Sequence, residues 1–372
     1  MVNARTKIRW LPLGLVIGRS PALPEVPQAR LRARNAILSG IVAAIGLHLS
    51  LIAVAAESFL VRDPLFGDLE SRLSRVERER PSGSSLVLFL GTSRVGTGFA
   101  AKRVGEQAPI VAFNFGVPGS GPIIHQIYLR RLLAAGHRPE LLLLEVLPSS
   151  VAELDGGPPE ARLLDGARFT RHEIETLTTY GVPEERLREQ WRETVATPWL
   201  SLRFSLLGRV MPSALPAHRR QDEGRTGDAW GWHRIMEEAL TPEMFAQGAA
   251  HTRREYGNIL ATLRPGGDAG RALRDTLALA NDHGIPVRLV LMPEATWFRE
   301  MYPTEVVIRF DRWVHDLARD AGCPVTDARK WIPDSGFADG HHLLPDGAAK
   351  FTDRLTREVN TPLFAPAMGV TQ

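Results

Sequence analysis

The run Leu86-Val87-Leu88-Phe89-Leu90, closed by Gly91-Thr92-Ser93, constrains this chain more than any other stretch. An unbroken apolar run of that length, ended by turn residues, reads as a strand buried on both faces. Such a strand exists only where helices cover both sides of a sheet. Four further runs read the same way: Ile110–Phe113, Leu141–Val146, Val287–Met292 and a short one from Pro324 to Thr326. Helical patterns separate them at Ile123–Ala135, Arg271–Asp282, Val306–Ala321 and Gly347–Val359. Strands alternating with helices predict an α/β fold with a parallel sheet.

Ahead of this body lies an uncharged apolar stretch, residues 36–56, of the ~20 residues that a bilayer core demands. Arg30, Arg32 and Arg34 crowd its amino side and Glu57 follows it. The positive-inside bias therefore predicts a cytoplasmic tail over 1–35, an uncleaved anchor over 36–56 and an extracytoplasmic body. A cleaved signal is the rival reading, since Ala53-Val54-Ala55 resembles a cleavage site, but the apolar stretch and its leader are long for one. The tail also explains the basic balance. Its seven Lys and Arg against Glu25 exceed the whole chain's net charge of +3, so the remainder is acidic and nucleic acid is not expected. Cys323 is the single cysteine, which excludes an intrachain disulfide and a thiolate metal cluster. The scattered His218, His233 and His251 lack ligand spacing, so no metal or other cofactor is expected.

Residues 57–84 read as a juxtamembrane helix, with Leu65, Leu69, Leu73 and Val76 at helical spacing, and a Pro-Ser-Gly-Ser-Ser linker. Folded sequence is expected from residue 85. Residues 151–265 break the strand-helix rhythm and read as a mostly helical insertion, rich in Arg, Glu, Pro and Trp, between body segments 85–150 and 266–362. Within it, 221–228 reads as an exposed loop.

In a parallel α/β sheet, reactive groups collect beyond the carboxyl ends of the strands. Ser93 follows the first strand there, and Asp339 and His342 precede the last helix. A serine hydroxyl is a weak nucleophile near neutral pH. It needs an imidazole to take its proton and a carboxylate to hold that imidazole. The loop Asn114–Gly121 follows the second strand and, with its glycines, offers exposed backbone N–H groups.

These positions resemble the SGNH, or GDSL-like, hydrolase superfamily. Gly91-Thr92-Ser93 matches its first block with Thr in place of Asp. Gly119 stands five residues after Asn114, as the oxyanion glycine does in the second block. Asp339, His342 and Gly347 fit the last block. His341 is the alternative base, because some relatives that modify polysaccharides use Asp-x-His, and the surrounding phrase looks most like the anchored, extracytoplasmic branch. The third block departs: where the family carries Gly-x-Asn-Asp, this chain has Ser149 near the Asn position, and losing an oxyanion donor costs ~10²–10³ in rate.

The resemblance implies a three-layer flavodoxin-like SGNH hydrolase fold behind one transmembrane helix, with Ser93, His342 and Asp339 catalytic and Gly119 and Ser149 at the oxyanion. Arg94, Asn114, Glu294 and His341 are candidate substrate contacts. For Glu294 a surface carboxylate is the default, Arg94 beside the nucleophile is a candidate to bind an anionic group, and for Asn114 support of its own loop is favoured. The tryptophans of the insertion could stack on sugars, though core packing is favoured. The implied activity is that of an esterase or O-acyltransferase on acyl esters of envelope or exported polysaccharide. A non-catalytic carbohydrate-binding or assembly partner of a membrane acyltransferase is the competing expectation.

Overall fold

The structure is a computed structural model and describes residues 27–107, 109–154, 156–216, 227–235 and 240–363. The tail up to residue 26, His218 and most of the 221–228 loop lie outside the described residues.

The chain divides into two units, 1–50 and 51–372. The first is carried by helix α1 (Pro27–Glu57). An 18-residue stretch within Gln28–Val54 reaches a mean hydropathy of 2.3, and none of that stretch is buried. At 1.5 Å per residue the helix is long and apolar enough to cross a bilayer.

The second unit begins earlier than the sequence suggests. Asp63 caps helix α2 (Pro64–Glu79), with Pro64 in its first turn. Phe66, Leu69, Leu73 and Val76 lie buried in the main core, packed with side chains of the sheet. The helix is therefore part of the folded body rather than a spacer in front of it, because its apolar stripe has to leave water. The body continues through β1 (Ser85–Gly91), α3 (Ser93–Gly98), β2 (Ile110–Gly116), α4 (Pro122–Ala134) and β3 (Leu141–Glu145). The insertion follows and ends in α5 (Pro242–Thr262). Then come α6 (Gly267–Asp282), β4 (Val287–Leu291), α7 (Thr304–Ala321), β5 (Val325–Asp327) and α8 (Pro345–Leu363).

The five strands are parallel and ordered β2-β1-β3-β4-β5. This is the flavodoxin-like doubly wound order. The step from β1 to β2 runs one way along the sheet and all later steps run the other. Right-handed crossovers therefore place their helices on opposite faces. Side chains of α2, α4, α6 and α7 fill one core and those of α3 and α8 the other. The strand order reverses between β1 and β3, which opens a crevice at their carboxyl ends.

An antiparallel bridge between Ala152 and Pro265 pinches the insertion at its neck. Flanking bonds run from the Glu153 N–H to the Arg264 carbonyl (2.9 Å) and from the Gly266 N–H to the Val151 carbonyl (3.0 Å). Among the described residues the insertion is built from helices 171–178, 184–196, 203–210 and α5, with short 3₁₀ turns. It also covers an exposed edge: the Asn114 N–H of edge strand β2 donates to the Trp230 carbonyl at 2.9 Å. Trp191 and Trp230 pack against the core, while Trp199 is exposed.

A buried charge cluster ties the start of α2 to α4 and the insertion. Asp63 accepts from Arg168 (2.6 Å), Arg131 (2.7 Å) and the Tyr128 hydroxyl (3.0 Å), and Arg131 also bonds Glu173 (2.6 Å). Burial alone would push the Asp63 carboxyl up, but the two guanidinium groups outweigh it and hold it down.

Candidate active site

Ser93 stands at the strand-to-helix turn after β1, as the first residue of α3. Thr92 caps that helix by accepting the Arg94 N–H at 3.2 Å. Among the described residues no acceptor meets the Ser93 N–H, one of the first-turn donors that a helix leaves without an internal partner. The hydroxyl lies 2.8 Å from His342 Nε2, and His342 Nδ1 lies 2.7 Å from Asp339 Oδ2. Asp339 Oδ1 accepts the N–H groups of His342 (3.0 Å) and His341 (3.3 Å), so the carboxylate organises its own loop. With Nδ1 donating to the carboxylate, Nε2 is left to accept from the serine. Burial alone would raise the Asp339 carboxyl, yet the hydrogen bond and charge of His342, with help from His341, hold it far below the usual range. It is a permanent anion behind the imidazole.

The turn that presents these groups depends on Gly340. Its φ is +94°, and a side chain there would also collide with Trp297. Of the two adjacent histidines, His342 reaches the serine. His341 is buried, with its ring 5.0 Å from Tyr256 and 5.3 Å from Phe298, and it lines the cleft from below. Burial and the neighbouring His342 keep His341 well below the ordinary imidazole range, so it is neutral. Donor atoms of Asp339, His341 and His342 lie within 4.8 Å of one another, close enough to suggest a metal triad. In this geometry, however, Asp339 and Ser93 already take both ring nitrogens of His342.

An open cleft of about 450 Å³ lies over the serine, lined among others by Ser93, Gly119, Ser149, Arg162 and Tyr256. Gly119 sits on its wall with φ +72°, and among the described residues no acceptor meets its N–H. Ser149 lies in the 3₁₀ turn Pro148–Val151 after β3 and lines the same cleft. Its neighbour Ser150 instead bonds the Leu147 carbonyl at 2.8 Å. Ser93, Gly119 and Ser149 thus line one opening.

Three proposed substrate contacts have different roles. Asn114 is fully buried within β2, which runs three residues further than its apolar run suggested. Its amide donates to the carbonyls of Val95 (2.8 Å), Gly96 (3.2 Å) and Phe99 (2.7 Å), and its oxygen accepts the Gly116 N–H (2.9 Å). It fastens α3, and hence Ser93, to the sheet. Glu294 is not the surface carboxylate expected but is buried, because Arg94, buried as well, faces it at 3.4 Å. Arg94 further donates to the carbonyls of Met292 (3.0 Å) and Pro293 (2.9 Å), which ties the nucleophile turn to the end of β4, and it also lines the cleft.

Glu145 is the residue that sequence reasoning passed over. It ends β3 beneath the nucleophile turn, and its carboxylate accepts the Thr92 N–H at 2.6 Å. Arg94 Nε stands 3.8 Å from its other oxygen. Burial pushes the Glu145 carboxyl up, with Arg94 and the Thr92 N–H opposing. The signal was present: a carboxylate closing the run Leu141-Leu142-Leu143-Leu144 is costly unless something waits for it. Glu160 was passed over as well. Fully buried, it accepts the Ile123 N–H (2.7 Å) and Ile124 N–H (3.4 Å) at the start of α4, and burial pushes it up to about 8 against those two bonds.

No family model matches the chain, and no curated protein matches it. Among solved structures the chain is similar to a catalytic mutant of an acetylxylan esterase from Geobacillus stearothermophilus. The identity is 12%, the alignment covers 76% of this chain and 98% of that one, and the TM-score is 0.36. A likeness of that size carries no weight for the chemistry. The fold rests on strand order, and the site on its own geometry.

Proposed function

We propose that the protein is a serine esterase or O-acyltransferase of the SGNH type. One observation carries this reading: the Asp339, His342 and Ser93 side chains form a continuous hydrogen-bonded relay whose serine end lines an open cleft. In the proposed mechanism, Ser93 Oγ attacks an acyl carbonyl while His342 Nε2 takes its proton. Asp339 holds the imidazole and balances its charge. The N–H groups of Ser93 and Gly119 receive the oxyanion, with the Ser149 hydroxyl as a third donor in place of the family's Asn. His342 then returns the proton to the departing alkoxide. Water entering next gives an esterase, and a sugar hydroxyl gives an acyltransferase.

Anchorage through α1 with the body outside the membrane favours acyl esters of envelope or exported polysaccharide as substrate, and a membrane-bound acyltransferase as partner. Turnover of p-nitrophenyl acetate by the full chain in detergent, beside Ser93→Ala, tests the reading. Loss of at least ~10³ in rate is expected, with a fluorophosphonate adduct mapped to Ser93. Equal turnover by both proteins, with no adduct, would leave a non-catalytic carbohydrate-binding or assembly role.

A further inference from the structure

The cleft carries a second arginine, and unlike Arg94 it is exposed. Arg162 lines the opening beside Ser93 and Gly119. Its guanidinium lies across the face of Gly119, so that a Cβ on that glycine would fall 2.7 Å from the guanidinium carbon. Among the described residues no carboxylate lies within ion-pair distance of it. The acid that lines the cleft among the described residues, Glu255, faces His251 at 3.1 Å.

The turn that presents Arg162 is pinned on both sides. Two residues before it, Glu160 is plugged into the amino end of α4, in space left by Gly121, where any side chain would strike its carboxylate. Immediately after it, Leu163 and Leu164 are buried in the main core. Between these anchors the 3₁₀ turn Ala161–Leu163 leaves the arginine fork standing over the cleft. A cation held on a rigid turn and facing an open pocket is arranged to meet an oxyanion that arrives with a ligand.

We propose that Arg162 is a specificity residue that binds an anionic group, carboxylate or phosphate, carried on the same sugar unit as the scissile acyl ester. This rests on the esterase reading and narrows its substrate to acidic acylated sugars. Glu160 is then a positioning residue, acting through the turn it anchors.

The test uses the full chain in detergent with matched acetyl esters: an O-acetylated methyl glucuronoside, its neutral uronate methyl ester, and an O-acetylated glucose 6-phosphate. Acetate release gives kcat and KM, and calorimetry gives binding. Wild type should prefer a charged ester over the neutral one by about tenfold or more in kcat/KM, chiefly through KM. The ratio should fall to near one in Arg162→Gln and to an intermediate value in Arg162→Lys, which keeps the charge but not the fork. Preference for the uronate or for the phosphate tells which oxyanion is read. An unchanged ratio in Arg162→Gln, or no preference in wild type, overturns the proposal. If no ester turns over, calorimetry decides separately. Uronate binding that needs Arg162 would keep the anion subsite while the esterase reading fails, and absence of binding would end both.

Discussion

Two buried charge clusters in this molecule are built on opposite stoichiometries. Around Asp63, one carboxylate meets two guanidinium groups and a phenol, and the carboxyl is held down. Beneath the nucleophile turn the ratio reverses: Arg94 faces both Glu145 and Glu294, and burial pushes both carboxyls up despite it. The first cluster has a hydrogen bond for each oxygen of Asp63. The second leaves Glu145 Oε1 and Arg94 Nε without one. The contrast separates a joint from a site support. Asp63 locks the α2 start, α4 and the insertion together through Tyr128, Arg131 and Arg168. The Arg94 cluster holds the loop that aims Ser93, and its charges can still change.

Mutations can break this comparison. Asp63→Ala leaves the Arg168 guanidinium without a carboxylate and Arg131 with Glu173 alone, and a loss of about 3–5 kcal/mol in urea unfolding is expected. The fluorophosphonate labelling rate of the folded fraction should stay that of wild type, and a parallel fall in that rate would deny that Asp63 is only a joint.

Arg94→Met should cost less, about 2–4 kcal/mol at pH 8, and it should slow labelling of Ser93 as well. Its pH dependence carries a definite sign. Glu145 and Glu294 already have raised pKa values, and losing Arg94 raises them further, so both go protonated at low pH. The penalty should therefore be small near pH 5 and grow as pH climbs. A penalty independent of pH would show that the carboxyls are not free to take protons.

Glu160 sharpens the comparison as a buried carboxylate with no guanidinium beside it. Its pKa, pushed up from 4.5 to about 8, means that the folded state resists ionisation, so stability falls as pH rises from 4.5 toward 8. Glu160→Gln should flatten that slope, with a gain of about 2 kcal/mol at pH 8 relative to pH 5, read from thermal or urea unfolding.

The smallest effect belongs to His137, which bonds Glu77 and Glu70 of α2. Burial alone would lower it, but those two carboxylates raise it to about 9. Its contribution should be full below pH 6.5 and vanish as pH passes 9, a loss of about 1–2 kcal/mol that His137→Gln would not show.

The apolar runs located all five strands, and the parallel sheet followed from their being apolar on both sides. The strand-helix rhythm stops at 151 and resumes after 265, and the Ala152–Pro265 bridge lies at those two points. Ser93, Asp339 and His342 could be named because each sits at the end of a recognisable element, where topology sends reactive groups. Local pattern could not decide which of His341 and His342 faces the serine. That choice depends on how the Gly340 turn folds against Trp297 and on the packing of Tyr256 over His341. Nor could it tell that Arg94, Asn114 and Glu294 point inward, or that Glu145 and Glu160 hold backbone amides far away in the chain. Periodicity is a property of neighbours in sequence and survives in one dimension. The partner of a buried polar group is settled by whichever distant donor the packing brings within 3 Å, and that requires the folded chain.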